Sequence, residues 1–154
     1  MDNNDILRRI RYIFNLSDSK MINIFNEGSH TVSRTVISNW LKKEDHIDFQ
    51  QMSDKELAMF LNGFINKNRG KREGPGFVPE DKLNNNIIFR KLRIALHFKD
   101  DEILDVLALS GMKISKHELS SFFRKPGHPK SRQCKDQILR NFLQGLQLKY
   151  RRDG

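Results

Sequence analysis

The feature that most constrains this chain is that it is written twice. Moving residue 4 onto residue 86, a shift of 82 positions, lays residues 4–67 over residues 86–149 without a gap. Polar identities include Asn4/Asn86, Arg8/Arg90, Arg11/Arg93, Asp18/Asp100, Ser33/Ser115, Ser38/Ser120, Lys43/Lys125, His46/His128, Gln51/Gln133, Asp54/Asp136 and Lys67/Lys149. Leu57/Leu139, Phe60/Phe142, Leu61/Leu143 and Gly63/Gly145 also match. Apolar character is kept where identity is not: Leu7/Phe89, Ile10/Leu92, Phe25/Leu107, Ile37/Leu119 and Trp40/Phe122. Positions that stay apolar while changing shape are what a shared core asks for. The reading is two tandem copies of one unit.

Within each unit the apolar period is helical. Ile6, Leu7, Ile10 and Phe14 draw one helix face. Asp18 or Ser19 is the expected cap of the next helix, which carries Met21, Ile22 and Phe25 and stops near Gly28. Ser33 and Ser115 stand at N-cap positions. Ser115 to Glu118 and Ser53 to Glu56 have the spacing of capping boxes. No stretch alternates with period two. The expected fold is all-α, two tandem copies of a small domain of about four helices each, with helix-turn-helix-like character. The expected boundaries are a first repeat at 1–67, a linker at 68–85, a second repeat at 86–150 and a basic tail at 151–154. The linker, NRGKREGPGFVPEDKLNN, has three Gly and two Pro and no helical pattern. Units this small gain from burying a shared face, so packing of the two is favoured.

Charge separates the copies. Residues 1–66 hold 8 Lys/Arg against 9 Asp/Glu, residues 67–82 hold 5 against 3, and residues 83–154 hold 15 against 7. The net charges are therefore −1, +2 and +8, and the excess lies in the second half. Such asymmetry points to an anionic partner for that half. No apolar run nears the roughly 18 residues of a membrane span. MDNNDILRRIRYIF lacks the basic start of a signal peptide, and a lone Cys134 fits a reducing compartment. A cytoplasmic protein is the expectation.

Two stretches carry candidate chemistry. VSRTVISNW, and its counterpart beginning at Ile114, have the apolar–Ser–apolar pattern of a recognition helix. In that motif the residues after the cap read the groove of DNA. They would be Arg34, Thr35 and Val36 in the first copy and Lys116, His117 and Glu118 in the second. The turn before each helix is longer than the motif usually shows, and a capped core helix has the same pattern. The second stretch is basic: Arg124, Lys125, His128, Lys130, Arg132 and Lys135, with Pro126, Gly127 and Pro129 keeping it from helix. Lys and Arg on a loop suit phosphate oxygens. The first copy has KKEDHIDFQQMS there, with Glu44, Asp45 and Asp48.

The remaining candidates are weak. Cys134 aligns with Met52 and reads as a small core hydrophobe. The histidines lack the spacing of a zinc site, so no metal is expected. There is no phosphate-cradling glycine loop and no nucleophile elbow. No catalytic residue and no cofactor are expected.

ISKHELSSFFRKPGH and CKDQILRNFLQGL, within the second copy, and the N-terminal MDNNDILRRIRY resemble the YehS family. The resemblance covers nearly the whole chain. It implies a bacterial, cytosolic, helical protein with two tandem copies of its domain, and no assigned activity, substrate or cofactor. Ser131 stands where the resemblance leads one to expect an aromatic side chain.

These features lead first to a non-enzymatic nucleic-acid-binding or regulatory protein. DNA or RNA phosphates would meet Arg124, Lys125, His128, Lys130, Arg132 and Lys135, with Lys116, His117 and Arg34 facing a groove. The alternative is a protein-interaction adaptor, whose basic loop or groove meets an acidic partner.

Overall fold

The computed structural model describes residues 1–70 and 76–151. Among them are eight helices and no strand. In the first copy these are α1 (Asn3–Ile13), α2 (Asp18–Glu27), α3 (Arg34–Leu41) and α4 (Asp54–Arg69). In the second they are α5 (Asn85–Leu96), α6 (Asp100–Leu109), α7 (Lys116–Phe122) and α8 (Asp136–Tyr150). The chain is all-α, and each repeat is a four-helix unit. It divides into two compact units, Met1–Leu83 and Asn84–Gly154. Helix α4 runs on to Arg69, and Gly70 ends it with φ 84°, a left-handed backbone that glycine adopts without strain. Residues 71–75 of the expected linker and 152–154 of the expected tail lie outside the described residues.

Local chemistry starts most of the helices. The Ser53 hydroxyl accepts from the Glu56 amide, and the Glu56 carboxylate accepts from the Ser53 amide, as the spacing predicts. Two expectations need correction. Helix α2 is capped by Ser17, whose hydroxyl accepts from Lys20 N at 3.2 Å. Asp18 is its first helical residue and pairs instead with Arg11 at 2.9 Å. At α7 only the serine half of the box forms: Ser115 Oγ accepts from Glu118 N at 3.0 Å. The Glu118 carboxylate does not return to the cap.

The helix faces meet in matched cores. Phe60 is fully buried and its ring lies 5.0 Å from Phe25, while Phe142 is fully buried 4.8 Å from Phe89. Burying one such ring stabilises by about 2–3 kcal/mol. On α2 the core side chains are Met21, Ile24 and Phe25, with the expected Ile22 only half-buried. The repeated glycine explains how closely the helices approach. A Cβ at Gly63 on α4 would strike the carbonyl oxygen of Ile24 on α2, and one at Gly145 on α8 would strike that of Val106 on α6.

Candidate functional site

In each unit an asparagine near the start of the first helix holds the long loop between the third and fourth helices. Asn86 Nδ2 donates to the carbonyls of Phe122 at 3.1 Å and Arg132 at 2.8 Å, and its Oδ1 accepts from Cys134 N at 2.9 Å. Asn4 does the same in the first unit, donating to Trp40 O at 2.8 Å and Gln50 O at 2.9 Å and accepting from Met52 N at 2.9 Å. An amide supplies the two donors and one acceptor that this job needs. The repeated histidines hold the turn inside the loop. His128 Nδ1 accepts from Lys130 N, and His46 Nδ1 from Asp48 N, both at 3.0 Å.

On this scaffold the second unit forms a groove of about 600 Å³. One side is a face of α7, with His117, Glu118, Ser121 and Phe122 at the i, i+1, i+4, i+5 spacing of a helix stripe. Pro129, Lys130, Arg132 and Gln133 come from the loop, and Lys135, Gln137 and Ile138 from the start of α8. Lys130, Arg132 and Lys135 are exposed, while Phe122 is buried and Ile138 half-buried. The site thus has cations beside an apolar floor, where charge interactions exceed those in open water.

The candidate residues separate into three groups. His117, Lys130, Arg132 and Lys135 meet at the groove. Arg124, Lys125 and His128 belong to the same loop but do not line it; the Lys125 carbonyl accepts from His128 N at 3.0 Å, and the His128 ring holds the turn. Lys116 lies with its Nζ 3.7 Å from Asp101, and Arg34, in the first unit, has its Nε 3.8 Å from Asp18. Residues 110–115 join α6 to α7, a joint longer than the three to four residues of a helix-turn-helix. Glu118, one of the residues expected to face a groove, lines it as well, and Ser121, Gln133 and Gln137 do so without having been singled out by sequence. The helix stripe on α7 and the repeated Gln51/Gln133 were the available signals.

The start of α8 also departs from its counterpart. Where α4 has Ser53 and Glu56 in a closed box, α8 has Lys135 and Ile138, and Lys135 provides no side-chain cap. Asp136 does not fill the gap. It accepts from Asn85 Nδ2 at 2.7 Å, a bond that holds its carboxyl below the usual range. Cys134 is buried, and burial pushes its thiol up to about 12, so it is an unreactive member of the core. Among the described residues, no three of His, Cys, Asp and Glu gather in a way that would hold a metal ion, and no helix is long and apolar enough to cross a membrane.

No solved structure matches the chain. A protein of Escherichia coli (strain K12) described as "Uncharacterized protein YehS" is 42% identical over 147 residues, covering 95% of this chain and 94% of that protein. A family model described as "Protein of unknown function (DUF1456)" matches at residues 3–70 and again at 85–152, one match to each repeat. With both copies matched and a relative this similar along almost the whole length, the chain belongs to the DUF1456 family.

Proposed function

We propose that the second repeat binds nucleic acid, in a binding or regulatory role without catalysis, and that Lys130, Arg132 and Lys135 hold phosphates. The observation that carries this reading is the groove itself. Three exposed cations from the loop and the start of α8 share it with an apolar floor and two amide side chains, Gln133 and Gln137. Phosphate oxygens suit the cations, and sugar and base suit the rest. The concave shape favours a single strand laid into the groove over a duplex read by an inserted helix. The contrast with the first unit adds support. There the positions of Lys130, Arg132 and Lys135 are Asp48, Gln50 and Ser53.

Fluorescence anisotropy of labelled single-stranded and duplex oligonucleotides at several salt concentrations tests the reading. Three phosphate contacts on a single strand give a log–log salt slope of about −2. The Lys130→Glu/Arg132→Glu variant should lose at least tenfold in affinity at low salt. Absence of binding by the parent protein at low salt would defeat the proposal. Capture of an acidic protein that survives nuclease treatment, and is lost in the same variant, would favour the adaptor reading instead.

A further inference from the structure

The cationic groove contains one acid, Glu118. A carboxylate among phosphate-binding cations repels the ligand unless it accepts hydrogen bonds from it. Its ordinary employment at this place in a helix is well illustrated in the same chain. Glu56 accepts from Ser53 N at 2.9 Å, Glu102 from Lys99 N at 2.9 Å, and Asp5 from Asp2 N at 3.2 Å. All three turn back onto the residue that precedes their helix. Glu118 has the same position in α7, yet among the described residues its carboxylate makes no such bond and no ion pair. It is exposed and shares the groove stripe of α7 with His117, Ser121 and Phe122. The first copy has Val36 at this position, beside an uncharged Thr35.

We infer that Glu118 is a specificity-determining acceptor that makes the groove select guanine in a single strand. This rests on the nucleic-acid reading above. The chemistry is that of base edges. Guanine presents two adjacent N–H donors, N1–H and the exocyclic amino group, which match the two oxygens of a carboxylate. Adenine and cytosine offer one amino group beside a ring nitrogen that is itself an acceptor. Uracil and thymine offer one N–H between two carbonyls. In those bases the neighbouring acceptor faces the carboxylate and weakens the contact. Single-stranded nucleic acid is the form in which this edge is free to be read.

The experiment uses short labelled uridine oligomers that carry one central G, A, C or U, with the full chain and its Glu118→Gln and Glu118→Ala variants. The parent protein should bind the G oligomer about tenfold or more tightly than the U oligomer, the range of one good bidentate base contact. Glu118→Ala should lose that preference and still bind the U oligomer with a salt-dependent affinity, more tightly than the parent because the repulsion is gone, while Glu118→Gln, whose amide can pair with guanine N1–H and O6, should only weaken the preference. Unchanged melting temperatures for the variants would establish that the fold is intact. Equal binding of all four oligomers by the parent, or a G preference that survives in Glu118→Ala, overturns the guanine inference and leaves phosphate binding standing. Failure of the parent to bind any oligomer at low salt overturns both.

Discussion

In the first repeat the turn at 44–48 shows Glu44, Asp45 and Asp48 to solvent, with Ile47 94% exposed between them. In the second repeat the equivalent turn at 126–130 shows Pro126, Gly127, Pro129 and Lys130. The backbone supports are nevertheless the same. His46 and His128 accept from the amide two residues on, and Asn4 and Asn86 grip the two ends of the loop. The comparison teaches that the loop's path and the loop's chemistry are set by different residues. Supports repeat, and the surface they carry does not. A reading of function from the second surface is therefore testable inside one molecule, with the first repeat as its own control.

The largest expected effect should fall equally on both repeats. Gly63→Ala and Gly145→Ala each put a Cβ into a backbone carbonyl, which cannot move without parting two helices. Each should cost about 3 kcal/mol or more in chemical denaturation. A mild result for one glycine alone would break the equivalence of the cores. Next come the asparagines. Asn4→Ala removes three hydrogen bonds from a fully buried side chain and should cost about 2–3 kcal/mol. Asn86→Ala removes the same three bonds at a more exposed place, so about 1–2 kcal/mol is expected, also by denaturation. If oligonucleotide binding runs through the second loop, Asn86→Ala should weaken it and Asn4→Ala should not.

The helix starts sharpen the comparison further. Ser53→Ala should destabilise by about 1 kcal/mol, the usual cost of a lost cap. Lys135→Ser should stabilise by about 0.5 kcal/mol, since it supplies the cap that α8 lacks, and should lower affinity for oligonucleotides. The smallest expected effect is at the histidines. His46→Ala and His128→Ala each remove one exposed hydrogen bond and should cost about 0.5 kcal/mol in thermal or chemical melts. Only His128→Ala should reduce binding, by roughly twofold on the same energy scale. Equal losses of binding in both variants would count against the second loop as the site.

The fold was legible because its signals are local or periodic. A 3.6-residue apolar period, a Ser before each third helix and an ungapped repeat specify four helices twice. The misread details are those where neighbours compete. Ser17 and Asp18 are both capping residues one position apart, and the ion pair of Asp18 with Arg11, seven residues earlier, decides between them. Glu118 has the spacing of a box, but spacing does not say which way a carboxylate turns. The site was legible as charge and not as geometry. Lys130, Arg132 and Lys135 stand out in a basic run. That Arg124 and Lys125 miss the groove depends on the turn held by His128. That Lys116 sits beside Asp101 depends on how α6 and α7 meet. Gln133 and Gln137 carry no charge to attract notice, and they come to line the groove only when the loop folds back onto α7.

One consequence of the asparagine clamp concerns what can be changed at will. Asn86 touches only main-chain atoms of Phe122, Arg132 and Cys134. Main-chain atoms are the same whatever side chains they bear. Between its two anchors the loop is thus a cassette: residues such as Lys125, Lys130 and Ser131 are open to replacement without instructing the backbone to run elsewhere. The first repeat already displays one such replacement, with Asp48 and Phe49 in place of Lys130 and Ser131. Grafting residues 47–49 onto positions 129–131 would transplant a surface while leaving its frame in place.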